Sequence, residues 1–163
     1  MMAERRRRPS LTPEEARALH YEALVIDTQQ PPITTGMLFT ERMRRVVEEY
    51  ARQGRSRAEV APVLEAMAAR EIQTSPEARQ AYLAVWERSG VTVACGTYSG
   101  AGRLGEAFER AVRRIAQAQA IVDALRDKLV LVRRAADIEQ AHAAGKHGIV
   151  IDFQDTIAFG DDL

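Results

Sequence analysis

Short apolar runs alternate with helical segments along this chain, and this alternation restricts its possible folds more than any other feature. The runs span residues 24–27, 91–95, 128–132 and 147–153, lengths that are typical of buried strands. Helical stretches separate them, and strands joined through helices favour a parallel sheet with right-handed crossovers. The sequence therefore predicts an α/β fold.

The helices can be delimited from their end signals. Thr12-Pro13-Glu14-Glu15 offers an N-cap, a proline at the first helical position and a glutamate three residues after the cap. An apolar face of that helix, ending in Ala23, leads into the first strand, which we expect to be buried. Further caps and stops are Thr40, Gly54, Ser56, Ser75, Gly90 and Gly145.

A long helix is predicted over residues 104–127, with apolar positions spaced four and three residues apart. That spacing suits a coiled coil, but an alanine-containing helix of this length also suits packing against a core, which we favour. The apolar positions expected to be buried are Leu104, Phe108, Ala111, Ile115, Ala118, Val122 and Leu125.

Composition excludes several classes of function. Lys plus Arg and Asp plus Glu each total 23, so a net charge of zero gives no reason to expect nucleic acid or an anionic membrane as a partner. We interpret residues 1–11, with four consecutive arginines, as a disordered basic tail, although such a run can contact phosphate. No run is long enough to span a membrane. Cys95 is the sole cysteine, which fits a reducing cytoplasm.

Residues 12–163 are predicted to form one incomplete domain. Gly160-Asp161-Asp162-Leu163 would start a helix, but the sequence stops there. A TIM-type (β/α)8 barrel takes at least roughly 200 residues, so we expect the N-terminal portion of such a barrel. The alternative is a small, complete α/β sheet with a ragged tail.

Two segments resemble the membrane (renal) dipeptidase family. ALVIDTQQPP, at 23–32, resembles the family's first strand. The stretch 107–163 resembles a long helix of the family followed by a later strand and turn, which read DKLVLVRRAADIEQAHAAGKHGIVIDFQDTIAFGDDL. The resemblance implies a TIM-type barrel that hydrolyses dipeptides or related amides with two zinc ions. It covers most of residues 15–163 but only the first part of the family's fold.

The family's metal ligands are mostly replaced in this sequence. The family pattern Asp-Gly-His-x-Asp implies that Asp27 is the opening aspartate, that Gln29 stands for the histidine and that Pro31 stands for the second aspartate. The family's bridging glutamate falls on Gln154, or on Asp152 if the alignment shifts by two residues. The remaining histidine ligands would lie beyond residue 163. No intact metal site is therefore expected.

The replacements have a physical consequence. Two cations about 3.5–4 Å apart repel each other, and a neutral amide cannot offset that repulsion as an anionic bridge does. Zinc prefers imidazole, thiolate and carboxylate ligands. Polar side chains would still gather where the strands end and could bind a polar ligand, or the two aspartates could merely cap loops. The candidate pocket residues are Asp27, Gln29, Gln30, Asp152 and Gln154.

The histidines, the cysteine and the glycine-rich segment outside this candidate pocket are expected to have structural roles. His142 and His147 flank a helix end and a strand start, so we expect them at the end of the barrel away from the site. Cys95 could line the pocket, although a buried, inert thiol is the simpler interpretation. The glycine-rich segment 96–105 lacks both phosphate-binding spacings, so we interpret it as a loop.

Three functions remain open. The chain is either part of a dipeptidase-like metallohydrolase that is inactive alone, a non-catalytic interaction protein derived from the barrel, or a relic without function. The expected partners are a complementary C-terminal chain or further copies of this chain, and a dipeptide-like small molecule if it is active. Neither nucleic acid nor a membrane span is expected.

Overall fold

The computed structural model describes residues 10–30, 38–98 and 104–160. Within these ranges the elements, in chain order, are α1 (Pro13–Glu22), β1 (Ile26–Gln30), α2 (Glu41–Arg52), α3 (Arg57–Thr74), α4 (Pro76–Ser89), β2 (Val93–Thr97), α5 (Leu104–Ala124), β3 (Leu129–Leu131), α6 (Ala135–Ala143), β4 (His147–Asp152) and the 3₁₀ turn η1 (Ile157–Phe159). Among them, no helix is both long and apolar enough to cross a membrane.

The four strands form one parallel sheet in the order β1-β2-β4-β3, which confirms the predicted α/β class. Central strand β2 pairs with β1 on one side and with β4 on the other. Within the described ranges β1 and β3 are both edges, so the sheet is open. The spatial order of β3 and β4 is reversed relative to the chain, whereas neighbouring strands of a TIM barrel follow one another in sequence.

Helices α2 to α5 cover one face of this sheet. Ala94 of β2 and Ile149 of β4 are register partners, so their side chains share that face and join the core. Trp86 and Tyr82 of α4 supply its largest side chains. The helical core residues are Met43, Ala68, Ala69, Ile72, Ala78, Tyr82, Trp86, Ala118, Ile121, Val122 and Leu125.

The opposite face carries the alternate residues of each strand. Cys95 pairs with Val150, and Thr97 pairs with Asp152, so these four side chains share the face that is turned away from the core. Gly148 lies on this face as well, because a Cβ there would come within 2.7 Å of Val132 Cγ2. The sheet thus separates the helical core from a surface on which polar side chains appear near the strand ends.

Strand β1 corrects the prediction of a buried first strand. It begins at Ile26 rather than Leu24 and continues to Gln30, and Ile26 is 43% exposed. The reason is its position at the sheet edge, where β2 is the one strand that pairs with it in the described structure. The apolar run marked a strand correctly but could not show that the strand lies at an edge.

The predicted apolar face of α1 is also wrong, since this helix has no buried residue. It is held instead by polar contacts to the end of α4. His20 Nε2 lies 2.7 Å from the Ser89 carbonyl oxygen, and the Tyr21 hydroxyl donates to the Arg88 carbonyl at 2.7 Å. Gly90, with φ of +66°, leaves room for His20, because a Cβ at residue 90 would lie 2.6 Å from Nε2.

Helix α5 was predicted to bury Phe108, but this side chain is 64% exposed. Ala107, which was not predicted to be buried, is buried beside it, while Ala111 is buried as predicted. From Ala118 to Leu125 the predicted apolar positions do enter the core. The small alanine side chains permit close packing where the larger ring does not fit.

Candidate functional site

The carboxyl ends of parallel strands meet at one edge of the sheet, and Gln30 of β1 and Asp152 of β4 lie there, whereas Asp27 is the second residue of β1. Asp27 is in register with Ala94 of β2, and Asp152 is in register with Thr97 of the same strand. β2 runs between the two aspartates, and the register places the Asp27 side chain on the core face with Ala94 and the Asp152 side chain on the opposite face with Thr97. Both side chains are half-buried. This is the edge at which open α/β sheets and barrels bind ligands.

Asp27 is held by two neighbouring residues of its own strand. Gln30 Nε2 donates to Asp27 Oδ2 at 2.6 Å, and the Gln29 backbone N–H donates to Oδ1 at 3.0 Å. The contact depends on an irregularity in β1: Asp27 pairs with Ala94, whereas Gln30 pairs with Gly96, so β1 has one extra residue. The bulge brings Gln30 back to the carboxylate, and both oxygens of Asp27 are fixed.

Asp152 ends β4 and is anchored through its main chain. Its carbonyl accepts a hydrogen bond from the Tyr98 backbone N–H at 2.8 Å, which ties the end of β4 to the residue that follows β2. Tyr98 is 1% exposed, and its ring occupies the space beside Gly96, where a Cβ would lie 2.8 Å from Cε2. A side chain at residue 96 would therefore displace the ring that supports this edge.

The thiol of Cys95 is subject to the negative charges of both aspartates. Partial burial, the negative charge of Asp152 and that of Asp27, in that order of size, raise the pKa of the Cys95 thiol above its usual value. Cys95 is partly exposed, so the interpretation as a fully buried thiol is wrong.

The five predicted pocket residues are only partly brought together. Asp27 and Gln30 are in direct contact, and Asp152 lies across β2 from them. Gln29 contributes its main chain, and both its side chain and that of Gln154 are exposed. Within the described ranges no cluster of three or more His, Cys, Asp or Glu residues could hold a metal ion. Pro31 lies outside those ranges.

The surroundings of Cys95 and the burial of Tyr98 were not predicted from the sequence. The position of Cys95 near the end of a predicted strand was a usable signal, but its neighbours depend on the pairing of β2 with both β1 and β4. Nothing in the sequence marks Tyr98 as buried, since it follows a strand within a glycine-rich segment. Burial raises the pKa of its phenol well above the usual value.

His147 occupies the opposite end of the sheet, as predicted. It begins β4, its Nδ1 lies 2.8 Å from the Val91 carbonyl oxygen, and its ring centroid is 5.0 Å from that of Trp86. His142 is exposed in the last turn of α6. Both histidines therefore lie near the amino-terminal end of β4, away from the aspartates.

We predict that Asp152→Asn speeds alkylation of Cys95. Removing the negative charge lowers the thiol pKa, so a larger fraction is thiolate at a given pH below that pKa, and the thiolate is the nucleophile. The rate with iodoacetamide at pH 8 should rise severalfold, and the pH profile of the rate should shift to lower pH. Mass spectrometry of the alkylated protein measures this rate.

Asp27→Asn should produce a smaller change in the same direction, because Asp27 is the weaker of the two electrostatic causes. Asp123→Asn, an exposed aspartate on α5, is the matched control and should leave the rate unchanged. Equal rates for wild type and Asp152→Asn across the pH range would show that the carboxylate does not act on this thiol.

Comparisons with known proteins give little beyond this geometry. No known protein family matches the sequence, and no curated protein matches it. A solved structure that is similar is the crystal structure of an amidohydrolase from Pseudomonas aeruginosa, with a TM-score of 0.46 and 19% sequence identity. The match covers 89% of this chain but 30% of the other, so the chain spans under a third of that protein's length. The resemblance to membrane dipeptidases remains a prediction.

Proposed function

We propose that this chain is the N-terminal portion of a dipeptidase-like barrel that acts on amide ligands, and that its strand ends bind the ligand without a pair of metal ions. The observation that carries the proposal is the arrangement of Asp27, fixed by Gln30, and Asp152 on either side of β2. Hydrolysis of a dipeptide or related amide is the activity of the completed barrel under this proposal.

The charge of this edge suits the amino end of a dipeptide. Asp27 and Asp152 are half-buried, and within the described ranges neither forms a salt bridge. An ammonium group beside either carboxylate would gain charge-assisted hydrogen bonds. The Gln30 amide nitrogen is engaged by Asp27, while its carbonyl oxygen is an additional acceptor for a ligand N–H.

The same residues are poorly suited to two metal ions. Gln29 and Gln154 are neutral at positions where the family resemblance implies a histidine and a bridging glutamate. Without an anionic bridge the mutual repulsion of two cations is not offset. We therefore assign recognition of the ligand, rather than zinc chemistry, to the residues of this chain.

The open edges of the sheet leave room for further strands of a larger barrel, in which β3 and β4 would depart from the sequential strand order of a TIM barrel. In the described structure β1 and β3 each have one unpaired edge, and parallel sheets are normally covered on both faces. Further strands, from a longer protein or from a complementary chain, would close the sheet and bring additional residues to the ligand. The sole cysteine suits a cytoplasmic location for such a protein.

Calorimetric titration of the purified protein tests the proposed recognition. We expect alanyl-alanine with a free amino group to bind in the millimolar range, at roughly −4 kcal/mol, and N-acetylated alanyl-alanine not to bind. Asp27→Asn and Asp152→Asn should each abolish binding, while Asp123→Asn should not. Equal binding of the free and acetylated dipeptides, or binding that survives both substitutions, would refute the role of the two aspartates.

Zinc retention tests the proposal that the strand ends bind the ligand without a pair of metal ions. After dialysis against buffer, wild type should retain less than one zinc ion per chain, whereas the triple variant Gln29→His, Pro31→Asp, Gln154→Glu, which restores three of the family's ligands, should retain more. Metal content is measured by mass spectrometry. Two zinc ions retained by the wild-type protein would refute a site without metal.

An interaction role is the second candidate. Leu24 and Ile26 at edge strand β1 are 39% and 43% exposed, which is typical of a strand that pairs with another chain. Under this alternative the protein binds a partner strand and no dipeptide. Binding of free alanyl-alanine that depends on Asp27 and Asp152 would favour the ligand-binding proposal over it.

A further inference from the structure

Helix α5 carries an exposed apolar stripe that the fold does not use. Phe108 is 64% exposed and Val112 is 48% exposed, and Ala116 continues the row as another exposed residue. Residues four apart lie on one side of a helix, so the three form a continuous row, which we call the α5 stripe. A large exposed aromatic ring beside a β-branched residue is the kind of surface that marks an interface.

The turn η1 widens this apolar surface. It packs against α5 and inserts the buried Ala158, while Ile157 and Phe159 on either side remain 39% and 47% exposed. The Phe159 ring lies 5.2 Å from the ring of Phe153, so its position is supported by packing. The apolar area therefore extends from one helix to a neighbouring element and is not a single side chain.

One flank of the α5 stripe carries one acid and one base. Glu109 lies one turn before Arg113, both side chains are largely exposed, and they form an ion pair within the helix. The acid is nearer the N-terminus of α5 and the base is nearer the C-terminus. When two copies of this helix pair antiparallel, the acid of one copy therefore faces the base of the other. The flank is complementary to itself in such a pair.

We propose that the α5 stripe is covered by the α5 stripe of a second copy of this chain, with the two helices antiparallel about a two-fold axis. Phe108 then packs against the partner subunit's Val112, and Glu109 faces the partner subunit's Arg113. The two-fold axis repeats both contacts, which is the defining property of an isologous interface. This inference does not depend on the proposed ligand site, which uses none of these residues.

The dimer is expected to be of modest affinity. One helix pair with a flanking turn buries less than the roughly 800 Å² per partner of a standard interface. We expect a dissociation constant of about 1–100 µM, in the range of a weak interface. Analytical ultracentrifugation over this range of concentration measures the equilibrium directly.

The charge arrangement allows a test by mixing variants. Glu109→Arg places two bases on the flank and Arg113→Glu places two acids there, so each variant alone should be monomeric at concentrations where wild type dimerises. An equimolar mixture should recover the dimer, because every contact across the two-fold axis then joins an acid to a base. Both variants lose the ion pair within the helix, so loss of that pair cannot explain recovery on mixing.

Glu106→Arg is the matched control, since Glu106 pairs with Arg110 on the same helix but lies outside the α5 stripe. It should dimerise like wild type. Phe108→Ser should be monomeric while its circular dichroism spectrum and melting temperature stay close to those of wild type. A monomeric wild type at roughly 500 µM, or a mixture that stays monomeric, would overturn the proposal.

Discussion

Trp86→Ala is expected to lower the free energy of unfolding by roughly 3–5 kcal/mol. Trp86 is 1% exposed and packs in the core between the helices and the sheet, with its ring centroid 5.0 Å from that of His147. Truncation leaves a cavity that the surrounding side chains cannot fill. Because domains of this kind have a total stability of about 5–15 kcal/mol, the variant should unfold at a much lower urea concentration.

Phe39→Ala is the control for this prediction, because Phe39 is another aromatic residue but is 56% exposed. Truncation of the Phe39 side chain should lower the free energy of unfolding by less than about 1 kcal/mol. Urea denaturation followed by circular dichroism compares the two variants with wild type. A similar loss for both would mean that α4 does not anchor the core as its burial indicates.

Helix ends were predictable because their signals are local. Thr12 and Glu15 form the expected capping box, with reciprocal hydrogen bonds of 2.8 and 3.2 Å. Ser75 accepts from the Ala78 N–H as an N-cap, and Gly90 ends α4 in the left-handed region. Each of these features depends on residues within one turn of the helix, so neighbouring residues are sufficient to specify it.

Strand placement was less predictable because it depends on distant partners. The apolar runs correctly marked four strands, but burial of β1 depends on its position at an edge, and the order β1-β2-β4-β3 is set by packing across the sheet. The exposure of Phe108 in α5 was likewise not predictable from the spacing of apolar residues. Its spacing suited the core, but Ala107 and Ala111 permit closer packing, and the ring is turned outward.

The candidate site was predictable only in outline. The predicted strand ends identified Asp152, which does end β4, whereas β1 continues beyond Asp27 to Gln30. The hydrogen bond from Gln30 to Asp27 arises from a bulge that no turn residue announces. The effect of both carboxylates on Cys95 requires knowledge that β2 lies between β1 and β4, which depends on tertiary structure.

Glu65→Ala is expected to lower the free energy of unfolding by roughly 3–5 kcal/mol, comparable to the loss of the core tryptophan. Glu65 of α3 is 7% exposed, and its two carboxylate oxygens accept hydrogen bonds from Arg114 of α5 at 3.0 and 2.6 Å. The substitution leaves the guanidinium in a largely buried position without this carboxylate. Its charge is then poorly compensated, and the contact between α3 and α5 loses its polar link.

The double variant Glu65→Met, Arg114→Met should recover most of this loss, because apolar side chains of similar volume remove both buried charges together. Glu41→Ala, which affects an exposed pair with Arg45 on α2, should cost less than about 1 kcal/mol. Urea denaturation of this double variant and of the single variants Glu65→Met and Arg114→Met completes a thermodynamic cycle for the pair. A double variant less stable than Glu65→Ala would contradict this prediction. It would mean that the attraction between Glu65 and Arg114 exceeds the free energy needed to desolvate the two charges, so that the ion pair itself holds α3 against α5.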